Sequence, residues 1–280
     1  MSLFITSLNS GSNGNCYYIG NDTEAVLIDA GISCRETERR MKKLGLSMTL
    51  VKAIFVSHEH TDHITGIPGI SKKYQLPVYI TSATFQNSNI PVQDHLIRSF
   101  QSNKPVTIGG LSIHAFTKSH DAADPHSFII AFKQLKVGVF TDIGFSCSQV
   151  KKYFKQCHAA FLEANYCEDM LEKGGYPYHL KKRISGDKGH LSNTQALDLF
   201  MNHRGDQLSH LLLSHLSKNN NSPELVNKLF TKKAGATKIT VASRYQETPV
   251  YNIDNACHPA LKTANRKYTR SASLQLSLFQ

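Results

Sequence analysis

No stretch of the 280 residues approaches the roughly 20 consecutive apolar positions of a membrane-spanning helix. A membrane protein is therefore not expected. Met1 to Leu8 alternate like a strand and lack the basic flank and apolar core of a secretory signal. The expected location is the cytoplasm. The six cysteines (Cys16, Cys34, Cys147, Cys157, Cys167, Cys257) form no Cys-x-x-Cys pair and read as reduced packing thiols. Acidic residues are scarce: 21 Asp and Glu face 32 Lys and Arg, a formal charge of +11. A basic surface needs no partner, but this one suits a polyanion, with clusters at Lys151-Lys152, Lys181-Lys182-Arg183 and Lys232-Lys233. Hydrophobic residues make up 40%, enough for one large domain with a substantial core.

Against that background stands Ser57-His58-Glu59-His60-Thr61-Asp62-His63, three imidazoles and a carboxylate in the order His-x-His-x-Asp-His. Ala53 to Val56 read as a buried strand before it. Ile64, Ile67 and Ile70 suggest a helix after it, weakened by Gly66, Pro68 and Gly69. The cluster thus falls where a strand gives way to a helix. Imidazole and carboxylate are ligands for Zn²⁺, Mn²⁺ and Fe²⁺. One metal would leave most of the cluster idle, so two divalent ions are expected. The alternative, a solvated polar turn, does not explain so specific a spacing.

This pattern resembles the signature of the metallo-β-lactamase superfamily. The resemblance runs through nearly the whole chain and implies an α/β (α+β) fold, an αββα four-layer sandwich. Periodicity alone gives only mixed α and β. It also implies a ligand set. Asp29, ending the strand-like run Ala25 to Ile28, is similar to the aspartate that orients metal-site imidazoles. His120, after the run Leu111 to Phe116, matches the third histidine of the first site. His114 and His126 lie inside strand patterns and read as packed histidines. Asp142, after Val137 to Phe140, matches the bridging carboxylate. His215, after Leu208 to Ser214, matches the last ligand. Site one is then His58, His60 and His120; site two is Asp62, His63 and His215, with Asp142 shared. A hydroxide held between metals roughly 3.5–4 Å apart would be the nucleophile, which suits a phosphodiester.

Other segments narrow the branch. Class B β-lactamases carry cysteine where this chain has Asp142, and flavodiiron proteins carry Glu where it has His60. The segment between Asp142 and His215 is too short for the insertion found in the superfamily's β-CASP nucleases; a helical insert over about Cys167 to Ser185 is expected instead. Ser7 to Asn15, Leu162 to Tyr166, Gly174 to Leu180, Asp187 to Asn193 and His215 to Asn220 together resemble the YycJ/WalJ family of metal-dependent nucleases. That resemblance implies a 5′-to-3′ DNA exonuclease. Residues 1–254 would form the catalytic domain.

Roles follow for further residues. Ser12 and Asn13, in a Gly- and Ser-rich loop, would approach a substrate phosphate, or simply connect two strands. His190 would contact the scissile phosphate or protonate the leaving oxygen. Glu163 would orient His190, or be a strand-end charge. Ser192 would cap a helix, hold phosphate, or both; Ser217 is a similar phosphate candidate. His179 and Lys181-Lys182-Arg183 would line a substrate channel or a solvated helix face. Ser33-x-x-Glu36 reads as a capping box for a helix to about Leu44. Ser192 to His203 and Ser222 to Lys232 read as helices.

After Asp254 the character changes. Residues 255–280 read as a flexible basic tail ending in Gln275-Leu276-Ser277-Leu278-Phe279-Gln280. The end is similar to the peptide that docks bacterial replication and repair proteins on the DNA sliding clamp. Gln275, Leu276, Leu278 and Phe279 would make that contact; packing back on the domain is the alternative. The competing functions are a thioester or lactone hydrolase, an RNA-processing nuclease, and a regulatory module with a vestigial site. The basic charge disfavours the first and the intact ligand pattern the last.

Overall fold

The computed structural model describes residues 2–254. The tail over 255–280, with Gln275, Leu276, Leu278 and Phe279, lies outside them. Strands β1 (Leu3–Asn9), β2 (Cys16–Gly20), β3 (Ala25–Ile28), β4 (Val51–Phe55), β5 (Val78–Tyr79) and β6 (Ile97–Arg98) make one sheet. Strands β7 (Val106–Ile108), β8 (Leu111–Thr117), β9 (His126–Phe132), β10 (Leu135–Phe140), β11 (Ala159–Glu163), β12 (His210–Ser214) and β13 (Lys238–Val241) make a second. Strand β14 (Tyr251–Ile253) returns to the first sheet and pairs antiparallel with β1. Each sheet has an antiparallel half and a parallel half: β3 to β6 run parallel in one, β10 to β13 in the other.

The helices are α1 (Cys34–Lys43), α2 (Thr61–Ile64), α3 (Ile67–Tyr74), α4 (Ser82–Ser88), α5 (Ser148–Phe154), α6 (Glu168–Lys173), α7 (Tyr178–Ser185), α8 (Asn193–His203) and α9 (Pro223–Thr231). Three apolar layers bind the stack together. Ile5, Tyr17, Ile28 and Phe55 of the first sheet meet Phe128, Ile130, Val139 and Phe161 of the second. Met41 of α1 and Ile67 and Ile70 of α3 cover the outer face of the first sheet. Val150, Leu199, Phe200, Val226 and Phe230 cover that of the second. Helix, sheet, sheet, helix is the expected αββα sandwich; each sheet is apolar on both faces because each is covered twice.

The helix after the histidine signature is broken between α2 and α3. At the break Gly66 packs tightly against the loop before α1: a Cβ there would lie 1.9 Å from the carbonyl oxygen of Ile32. The capping box expected at Ser33 is half formed. Ser33 Oγ accepts the Glu36 N–H, but the Glu36 carboxylate is drawn instead to Arg39 and Arg40 at 2.7 and 2.6 Å. A complete box stands at Ser192, whose Oγ accepts the Gln195 N–H while Gln195 Oε1 accepts the Ser192 N–H. The insert expected over Cys167 to Ser185 is present as α6 and α7. Five cysteines among the described residues are free. No helix among them is long and apolar enough to cross a membrane.

Candidate metal centre

Topology brings the candidate residues to one edge. The chain leaves β3 at Asp29, β4 at His58, β8 at His120, β10 at Asp142, β11 at Glu163 and β12 at His215. All six strands end on the same side, so the loops beyond them converge. Asp29, Asp142 and His215 have φ of 58°, 56° and 57°. Such left-handed backbone costs about 1–3 kcal/mol at a non-glycine residue. The other four non-glycine examples among the described residues (Gln75, Asn89, Asn103, Lys133) are exposed. These three are buried, and the surrounding packing holds them.

His58, His60 and His120 form one cluster. His58 Nε2 lies 3.1 Å from His60 Nδ1, and His120 Nε2 lies 3.4 Å from it. The outer nitrogens are engaged: His58 Nδ1 with Ser57 Oγ at 2.8 Å, His120 Nδ1 with the Gly189 carbonyl at 3.0 Å. Burial pushes His58 well below the usual imidazole range and His120 down to about 4. Both are thus neutral, the form that ligates metal.

Asp62, His63 and His215 form a second cluster beside the first. His215 Nε2 lies 3.4 Å from Asp62 Oδ2. Asp142 sits between the clusters, with carboxylate oxygens 3.3 Å from His63 Nε2, 3.4 Å from His215 Nε2 and 3.9 Å from His120 Nε2. Its buried Oδ2 accepts no hydrogen bond. Burial would raise Asp142, but the His215 and His63 imidazoles beside it hold it well below the carboxylate range. Burial would likewise lower His63 and His215. The carboxylates reverse this: Asp142, Asp62 and Asp29 hold His63 well above the imidazole range, and Asp142, Asp62 and Glu163 hold His215 up to about 10. The pocket therefore draws positive charge inward, and an orphaned carboxylate oxygen points into it. A divalent cation meets both demands.

A further ring of residues fixes the imidazoles. Asp29 accepts the Ser57 N–H at 2.7 Å and Ser57 Oγ–H at 2.8 Å, and its Oδ2 lies 2.7 Å from His63 Nδ1. Glu163 Oε1 lies 2.8 Å from His190 Nδ1 and 3.1 Å from His215 Nδ1. Its Oε2 accepts the Ile143 and Leu191 N–H groups. Burial would raise Glu163, but His190 and His215 draw it down to about 2. His190 stacks on His215 with ring centroids 5.2 Å apart, at the mouth of the second cluster.

The remaining candidates lie further out. Ser192 is buried with its hydroxyl in the helix cap. Ser12 accepts from Arg244 Nη2, and Asn13 donates to the Arg244 carbonyl; both are exposed. Ser217 Oγ accepts the Asn220 N–H at 3.3 Å. His114 pairs with Ser112, and His126 packs on Phe100, outside the cluster.

Sequence reasoning missed several supports. Asn15 Nδ2 lies 3.1 Å from both Asp62 Oδ2 and His63 Nε2. Ser10 Oγ accepts the His215 N–H at 2.8 Å. The Gly- and Ser-rich loop therefore braces the cluster as well as facing solvent at Ser12 and Asn13. Asn165 Nδ2 donates to the His215 carbonyl at 2.8 Å. Buried Lys118 donates to the Thr141 carbonyl at 2.7 Å, holding the turn that presents Asp142. No spacing rule marks such contacts; only the adjacency of Ser10, Asn15 and Asn165 to conspicuous motifs hinted at them.

A family model described as the beta-lactamase superfamily domain matches residues 24–215. Exodeoxyribonuclease YycJ of Bacillus anthracis is 36% identical over 230 residues, which span 80% of this chain and 86% of that protein. Exodeoxyribonuclease WalJ of Streptococcus pneumoniae serotype 2 (strain D39 / NCTC 7466) is 31% identical over 225 residues, spanning 79% and 84%. The crystal structure of the metallo-beta-lactamase fold protein YhfI from Bacillus subtilis superposes with a TM-score of 0.70 at 16% identity. That match covers 90% of this chain and 100% of that one, and it speaks for the fold alone. The chain belongs to the metallo-β-lactamase superfamily of metal-dependent hydrolases and, within it, to the YycJ/WalJ family.

Proposed function

We propose that this protein is a binuclear metal-dependent phosphodiesterase that degrades DNA from its ends in the 5′-to-3′ direction. One observation carries the reading: buried Asp142 stands within reach of histidines from both clusters, so one carboxylate can serve two cations. His58, His60 and His120 would hold one ion; Asp62, His63 and His215 the other. Bound there, zinc or manganese supplies Lewis acidity and activates water near neutral pH. The naming of YycJ and WalJ as exodeoxyribonucleases and the charge of +11 favour DNA as substrate.

The chain's own groups supply orientation and proton transfer. Asp29 and Glu163 each lock an imidazole of the second cluster in one orientation. Glu163 also fixes His190 through Nδ1, which leaves Nε2 to pass a proton to the leaving oxygen. Ser12, Asn13 and Ser217 would meet flanking phosphates. The tail over 275–280 would dock a sliding clamp through Gln275, Leu276, Leu278 and Phe279. Clamp affinity should vanish when those six residues are removed; equal affinity, or none in either chain, contradicts the docking.

The catalytic reading is tested with the purified chain, Mn²⁺ or Zn²⁺, and DNA labelled at either end. Shortening from the 5′ terminus is expected. Asp62→Ala and Asp142→Ala should each lose activity while keeping the circular dichroism spectrum. Cleavage by both variants at the parent rate contradicts the assignment.

A further inference from the structure

Helix α7 is anomalous. A short helix is held in place by the apolar face it packs, yet none of the residues of α7 is buried. Tyr178, at its start, is 73% exposed. The helix carries Lys181, Lys182 and Arg183 in succession and no acidic residue. Lys182 Nζ stands 5.5 Å from the Tyr178 ring centroid, an aromatic face and a cation side by side at helical spacing.

The helix is also joined to the metal centre. Arg183 Nε donates to Asp121 Oδ2 at 2.5 Å. Asp121 Oδ1 lies 3.3 Å from His120 Nε2, and its carbonyl 3.2 Å from His60 Nε2. At the same end, the Ile184 carbonyl accepts the His190 N–H at 2.9 Å. Between α6 and α7 runs a cleft of about 380 Å³ whose lining includes Tyr166, Leu171 and Tyr178. That volume falls within the roughly 300–1,000 Å³ of small-ligand pockets. Glu168 and Glu172 of α6 also line it, facing the same space as Lys181 and Lys182 of α7. Carboxylates there repel a phosphate but accept hydrogen bonds from the amino groups of a base.

We infer that α7 is a binding ramp for single-stranded DNA: a base enters the α6–α7 cleft against Tyr178, and the backbone phosphate lies over Lys182 on the way to the metal centre. The inference rests on the nuclease reading and adds the strand's path. The spacing suits it. Tyr178 and Lys182 lie one turn apart on the same face of the helix, about 6 Å along its axis at 1.5 Å per residue. Base and phosphate contacts can therefore be made at the same time.

The test is fluorescence anisotropy of a 3′-fluorescein phosphorothioate oligothymidylate, which resists cleavage, titrated with the metal-loaded full chain. Tyr178→Ala and Lys182→Ala should each weaken binding about tenfold, in line with loss of one stacked base or one phosphate contact. Tyr178→Trp should bind as the parent does. Lys52→Ala, at the far end of β4, should also leave affinity unchanged. Parent-like binding by Tyr178→Ala, equal weakening by Lys52→Ala, or no binding by the parent chain overturns the ramp. A nuclease assay on the same preparation separates the two failures. If the parent cleaves DNA while Tyr178→Ala binds normally, only the ramp falls; if the parent cleaves no DNA, the nuclease reading falls.

Discussion

Asp29 is wholly buried, and both of its oxygens are committed: one to the Ser57 N–H, the other to Ser57 Oγ and His63 Nδ1. Ser57 in turn touches His58, so one carboxylate steadies an imidazole in each cluster. Asp29→Asn keeps the shape and removes the charge that orients His63. Metal affinity should fall about 10–100-fold, the usual cost of losing such a support; isothermal titration giving parent-like affinity would contradict the role. His190→Ala should lower turnover far more than metal content, because Glu163 holds His190 at the mouth of the cluster. An equal fall in bound metal would make His190 a ligand. Asp29 and Glu163 were legible in the sequence because each ends a strand beside a recognisable motif. Lys118, two residues before His120, was not. Its contact with the Thr141 carbonyl joins two loops distant in sequence, which only the packed sheets bring together.

Local chemistry sets the elements that present these residues. Ser192 opens α8 with a complete capping box and lies two residues beyond His190. Ser192→Ala should cost about 1 kcal/mol, read as a lower urea midpoint with unchanged slope; an unmoved midpoint would mean that the cap is dispensable. Gly31 illustrates the opposite constraint, close approach. A Cβ there would sit 1.7 Å from the Asp62 carbonyl oxygen. Gly31→Ala should therefore displace the histidine signature and cost activity more than stability, measured as turnover against urea midpoint on one preparation. The long strands and the capped helices α1, α8 and α9 could be read from sequence, since each carries its own pattern or serine cap. The two- and three-residue strands β5, β6, β7 and β14 carry little pattern of their own; neighbouring strands define them. Val78 to Ile80 is at least a short apolar run in the sequence, whereas β6, β7 and β14 are set by their partners alone.

In the whole molecule, two sheets each switch from antiparallel to parallel pairing, and the parallel halves point their carboxyl ends to one rim. Periodicity could suggest the strands but not their order. The layered architecture became legible through the resemblance carried by the histidine signature, because a rule for one strand's faces says nothing about which strand lies beside it. That rim collects His58, His60, Asp62, His63, His120, Asp142 and His215 from four separate loops. Their convergence underlies the nuclease reading, the supporting roles of Asp29 and Glu163, and the strand path along α7. Anomalous diffraction from crystals of the manganese- or zinc-loaded chain tests it most directly. Two ions per chain are expected, one on His58, His60 and His120, the other on Asp62, His63 and His215, with Asp142 touching both. A single ion, or ions bound away from this rim, in fully active protein would contradict it.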